Sequence, residues 1–257
     1  MNNKINNKTN TKIVIGTLAL ALSTTATAYQ AGDPPEQEGQ IEQITLSQLA
    51  AYDEAIVERK KTCEELRTRE SWMTDAGYAK IQTGLQDTEC AILFKVGDTG
   101  LAGGTVFHTS SGGRHGMESS PEIISNLEWG CYNVPVSAKG RDIGTGAGNN
   151  ALMLGENCES YNGGETVFPV VDKFVVNGYD DWIVPSRGEL DRVEHYVNLE
   201  ESLGQGGDGW ELPNYMWSST IILNYPNTKA YAKNLWTSKG AMADRAFRLS
   251  VMPVRSF

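Results

Sequence analysis

An export signal followed by four cysteines constrains this chain more than any other feature of its 257 residues. Lys4, Lys8 and Lys12 precede the apolar run Ile13 to Leu22, and Ala26-Thr27-Ala28 follows. A basic segment, an apolar core of about ten residues and an A-x-A site make a secretory signal peptide, with cleavage expected after Ala28. The apolar run is short for a bilayer of roughly 30 Å. The next residue is Tyr29 rather than Cys, and no twin-arginine pair precedes the run, so the general secretion route fits. The mature chain is expected in the periplasm, at the cell surface or in the medium, without a further membrane span. There Cys63, Cys90, Cys131 and Cys158 form an even set, which an oxidising compartment turns into disulfides. Four cysteines allow three pairings. Cys63 with Cys90 and Cys131 with Cys158 are favoured, because each pair sits inside one apparent structural unit.

Charge narrows the partners. The net charge is −10, and loss of the signal removes three lysines and no acid, leaving −13. A broad basic surface for nucleic acid is therefore not expected. No C-x-x-C occurs, and His108, His115 and His195 lack ligand spacing, so neither a metal nor a cofactor is expected. The acid pairs Asp180-Asp181 and Glu200-Glu201 could do acid–base work or hold Ca²⁺, yet no EF-hand loop frames them and solvated turns are the simpler reading.

Residues 29–43 are rich in Gly, Pro, Glu and Gln and read as an acidic disordered linker. A helical segment over 44–94 follows. Thr45-Leu46-Ser47-Gln48 has the form of a capping box, and Leu49, Tyr52, Ile56, Cys63 and Leu66 recur at helical spacing. A weaker helical stretch covers Trp72 to Leu85. From Ala91 onward short apolar runs alternate with glycine clusters. Ala91 to Phe94, Thr105 to His108 and Val167 to Val171 are expected as strands. Ser186 and Glu189 form a second capping box, opening a helix whose apolar face holds Leu190, Val193 and Val197. The fold class is α+β, loop-rich, with a short helical segment in front.

Gly144-Thr145-Gly146-Ala147-Gly148 lacks the lysine of a phosphate-binding loop and is expected to be a structural turn. No G-x-S-x-G occurs, and no His-activated nucleophile is evident. The last stretch is different. Lys229 to Phe257 holds six basic residues and one acid. Trp210, Tyr215, Trp217, Tyr225, Tyr231 and Trp236 lie near it. Aromatic faces stack on sugar C–H surfaces, and cations pair with carboxylate or sulfate.

Several strings then occur in one order. They are Gly97-Asp98-Thr99-Gly100-Leu101-Ala102-Gly103-Gly104-Thr105-Val106-Phe107, His115-Gly116-Met117-Glu118, Trp129-Gly130-Cys131-Tyr132 and Ile143-Gly144-Thr145-Gly146. Cys158, Asn177-Gly178-Tyr179-Asp180-Asp181-Trp182-Ile183-Val184-Pro185-Ser186, Glu189-Leu190, Tyr215-Met216-Trp217-Ser218-Ser219 and Val254-Arg255-Ser256-Phe257 complete them. Together they resemble the Lcl C-terminal domain family, the module that ends a collagen-like bacterial adhesin, over about residues 95–257. The resemblance implies a C-type-lectin-like fold, distantly shared with formylglycine-generating enzymes. It also implies a link to sulfated glycosaminoglycans and a structural bond between Cys131 and Cys158. It further implies a core Trp217, a strand-to-helix junction at Trp182 and Pro185, and Arg255 in a closing strand. Collagen repeats are absent, so trimerisation does not carry over.

The expectation is an exported, non-enzymatic binding protein for an anionic or other glycan. Lys229, Lys233, Lys239 and Arg245 would supply charge, and Tyr225 and Trp236 stacking surfaces. The alternative is an assembly module of a bacterial envelope complex, a homo-oligomer in contact through the first helix.

Overall fold

The structure, a computed structural model, describes residues 46–202, 215–235 and 237–257. The expected signal peptide and acidic linker, Thr45, Trp210 and Trp236 lie outside the described residues, as do the side chains of Leu49 and Val197. The chain divides into two compact units, one ending at Thr68 and one spanning Arg69–Phe257. Among the described residues, no helix is long and apolar enough to cross a membrane.

The first unit contributes helix α1, Leu46–Arg67, close to the expected span. Its Tyr52, Val57 and Leu66 are exposed. The second unit is a mixed α+β domain. Helix α2, Asp75–Leu85, starts at Thr74, whose hydroxyl accepts from the Gly77 N–H at 3.1 Å. This helix belongs to the larger unit rather than to a separate helical segment. The reason is local: Gln86, just past its end, is buried and gives both amide N–H bonds and its carbonyl to the domain. It donates to the Ile92 and Arg114 carbonyls and accepts from the Ile92 N–H. The start of α2 also lies so close to Gly178 that a Cβ there would meet the Asp75 backbone at 2.2 Å.

Strands β1 (Thr105–Ser110), β2 (His115–Ser119) and β8 (Val254–Ser256) form an antiparallel three-stranded sheet in the order β1-β2-β8. Strands β3 (Ile124–Glu128), β4 (Met216–Ile221), β5 (Lys229–Lys233), β6 (Gly240–Asp244) and β7 (Arg248–Val251) form a second sheet in the order β3-β7-β4-β5-β6. All its pairings are antiparallel except β4 with β7. Helices α3 (Gly146–Gly155), α4 (Val167–Asp172) and α5 (Arg187–Ser202) complete the domain.

Two expected strands differ. Val167 to Val171 is helical. A short apolar run has no period that separates a buried helix from a buried strand. Pro169 falls in the first turn, where its missing N–H would have had no helical partner. Ala91 to Phe94 is irregular: the Phe94 N–H donates to Gly113, and Asp98 turns the chain by accepting from the Lys95 N–H.

The largest core cluster holds Trp129, Trp182, Trp217 and Phe168. Each indole N–H reaches a carbonyl, that of Ser218, Tyr179 and Leu127 respectively for the three tryptophans. These bonds satisfy polar atoms that burial would otherwise strand. Cys131 is bonded to Cys158, and no described cysteine is free, Cys63 and Cys90 included.

Three buried glutamates hold the loops between these elements. Glu118 accepts from the backbone N–H groups of Ala102 and Gly104. Glu128 accepts from Tyr161 and Asn162. Glu189 accepts from Gly144, Gly146 and Ser186. Burial alone would raise the Glu128 pKa. Hydrogen bonds from the Ser160–Asn162 segment more than offset it, and the carboxyl titrates below its ordinary value of 4.5. Because the folded pKa is the depressed one, Glu128 stabilises the fold above that ordinary value. The contribution is lost as pH falls through the folded pKa. The stability gap between wild type and Glu128→Gln, from urea melts between pH 7 and pH 3, should therefore be widest at neutral pH and close on acidification.

Candidate functional site

The period of two along β5 and β6 builds the site. Ala230 and Ala232 on β5, with Ala243 on β6, point into the main core. The alternate residues Lys229, Tyr231 and Lys233, and their register partners Asp244, Met242 and Gly240, share the opposite face. An open cleft of about 730 Å³ lies over this face. Its other walls are Arg187 and Asp191 from the first turns of α5, Arg141 from the loop before α3, and Thr220 to Asn224 at the end of β4.

The walls are tied together. The Gly188 N–H donates to the Arg141 carbonyl at 2.6 Å. The Thr220 hydroxyl donates to the Gly140 carbonyl and accepts from the Arg187 N–H. On α5 the expected capping box is present: Ser186 Oγ accepts from the Glu189 N–H, and Glu189 accepts from the Ser186 N–H. The same carboxylate takes the Gly144 and Gly146 N–H groups at the start of α3. A phosphate would need those donors, so the glycine run serves as the turn expected of it. A Cβ at Gly146 would meet the Glu189 carboxylate at 2.3 Å.

Charges inside the cleft are ordered by depth. Lys233 is buried, and its ammonium reaches Asp191 at 2.6 Å and Glu194 at 2.8 Å. Burial would lower its pKa, but hydrogen bonds to these two carboxylates prevail and raise it. Arg187 lies over the Tyr231 ring at 4.5 Å and 3.7 Å from Asp191. Burial, then the Asp191 charge, raises the Tyr231 pKa, so its hydroxyl stays protonated and donates to Asp191. Arg141 is exposed, with no side-chain partner among the described residues. Leu223 and Met242 leave exposed apolar surface beside these cations. The cleft therefore offers one guanidinium without a partner among the described residues, a second over a ring and beside Asp191, and apolar flanks. Guanidinium forks match carboxylate and sulfate geometry.

Of the described residues expected to bind ligand, some lie in or beside the cleft and others do not. Lys233 is in the cleft, but its charge is spent on two acids. Arg245 is a correction: it is fully buried, 4.8 Å over the Trp129 ring. It donates to the Cys131 and Pro226 carbonyls. Burial draws its pKa down to about 10, partly opposed by Asp244, so it stays charged at neutral pH as an internal clamp. Tyr225 is exposed in the β4–β5 turn, next to the lining residue Asn224. Lys239 is exposed between the lining residues Ser238 and Gly240, and Lys229 is half-buried at the far end of β5. Asp181 takes a bidentate pair from Arg255 at 2.6 and 2.9 Å.

Sequence reasoning missed Arg141, Arg187 and Asp191. The four-residue spacing of Arg187 and Asp191 after a helix cap was a usable signal. Nothing local marked Arg141. Compared with protein-family models and with curated protein sequences, the chain matches none.

Proposed function

We propose that this chain is an exported, non-enzymatic binding protein that recognises an acidic carbohydrate or a comparable extracellular polymer in the cleft between α5 and the β5–β6 face. The observation that carries the reading is the pairing of exposed Arg141 with Tyr231-stacked Arg187 in an open cleft with apolar flanks. The residue strings resembling the Lcl C-terminal domain, with its C-type-lectin-like fold, support it.

A glycan array that includes uronic and sulfated glycans, probed with the purified protein at low salt, tests this. Binding is expected and should weaken steeply as salt rises. A charge-assisted hydrogen bond is worth about 1.5–3 kcal/mol, roughly ten- to a hundredfold in affinity. Arg141→Ala with Arg187→Ala should therefore weaken binding by at least tenfold. No signal above background would end the proposal.

A second reading has its own observation. Tyr52 and Leu66, fourteen residues apart and so within about 40° of each other around α1, are 66% and 49% exposed and suit an assembly contact. Light scattering decides: a monomer with and without α1 would remove the assembly role.

A further inference from the structure

A second concavity, of about 390 Å³, lies over the Cys131–Cys158 disulfide and shares no lining residue with the cleft. Its size is within the ordinary range for small-ligand pockets, about 300–1,000 Å³. Its surface is aromatic: the Tyr132 and Tyr161 rings meet edge to face at 4.8 Å, and Tyr161 is 64% exposed. Such rings cost free energy in water and gain by covering an apolar face. Its charge is of one sign. Glu156 and Glu159 are exposed on the rim, and neither Lys nor Arg is among the described lining residues.

The rings are held in place from beneath. Cys131 and Cys158 are covalently joined, and the Cys131 N–H donates to the Glu159 carbonyl. Buried Glu128 accepts from the Tyr161 and Asn162 N–H groups. Helix α3 stops just before, at Glu156, and Asn157 takes a left-handed conformation (φ 48°), which Asn tolerates at a helix end. A ligand would therefore meet a preformed surface, and little ordering entropy would be lost on binding.

We propose that this groove binds an amino sugar. The C–H face of the pyranose would lie on the exposed Tyr161 ring, which Tyr132 supports edge to face, and the protonated amine would be held by Glu156 and Glu159. Charge complementarity sets the choice: two carboxylates, with neither Lys nor Arg among the described lining residues, disfavour uronates and sulfates, the ligands proposed for the cleft. The inference is independent of that reading, and either can fail alone.

Calorimetric titration of the full chain with a glucosamine tetramer tests it, with the N-acetylated tetramer and spermidine as comparison ligands. The glucosamine tetramer should bind at least tenfold more tightly than either. Tyr161→Ala should weaken that binding at least tenfold, and Glu156→Gln with Glu159→Gln should abolish the preference over the N-acetylated tetramer. Arg141→Ala with Arg187→Ala should leave it unchanged. No binding of the glucosamine tetramer at millimolar concentration overturns the proposal. So does equal binding of the N-acetylated tetramer, and so does equal binding of spermidine with no loss in Tyr161→Ala.

Discussion

Replacing Arg255 with methionine should destabilise the protein by about 3–5 kcal/mol, the range seen when one partner of a buried ion pair is removed. Arg255 and Glu118 are both fully buried and meet at 2.7 Å. The guanidinium also lies 4.1 Å over the Tyr179 ring and forks onto Asp181. Burial alone would lower the Arg255 pKa, but the two carboxylates outweigh it and raise it. Methionine restores much of the volume but strands the Glu118 charge. Glu118 also holds the Ala102–Gly104 loop, so the loss reaches beyond β8. Adding Glu118→Gln should recover part of the loss, and a double-mutant cycle from urea melts reads the coupling. A single-mutant loss under about 1 kcal/mol would contradict this account of the pair.

Glu189→Gln is the second large effect. Three backbone N–H groups converge on two carboxylate oxygens. Glutamine keeps one acceptor oxygen and turns an NH₂ donor toward the remaining donors. Charge-assisted bonds are worth about 1.5–3 kcal/mol, and a stranded buried donor costs about as much, so a loss of about 2–4 kcal/mol is expected. The damage should be local: faster amide exchange at Gly144 and Gly146, and looser placement of Arg141, which precedes them in the same loop. Affinity for an acidic glycan should fall with it, although Glu189 does not line the cleft. Unchanged exchange at both glycines would show that the carboxylate does not hold the loop.

Local signals were legible in the sequence and distant ones were not. The Ser186–Glu189 box, the spans of α1 and α2 and the Cys131–Cys158 pairing each rest on nearby residue types and spacing, whereas core Trp217 came from the family resemblance. The second role of Glu189, holding a loop more than forty residues away in sequence, has no local trace. The basic tail is the instructive case. A run of Lys and Arg reads as one patch only while its residues are assumed to face one way. In the fold, β5 alternates, so Lys229 and Lys233 share a face, and Lys233 meets two acids from α5. Arg245 follows β6 and turns under Trp129, and Arg255 sits in the three-stranded sheet. Of the stretch, Lys239 stays exposed beside the cleft. The positive surface instead comes from Arg141 and Arg187, which lie outside that stretch.

The most direct test of the cleft as the ligand site is a heteronuclear NMR titration of the labelled protein with an acidic oligosaccharide such as a tetra-uronate. The account predicts shifts concentrated at Arg141, Arg187, Leu223, Ser238 and Met242, lost in the Arg141→Ala, Arg187→Ala variant. Shifts centred elsewhere, or an unchanged affinity in that variant, would contradict it.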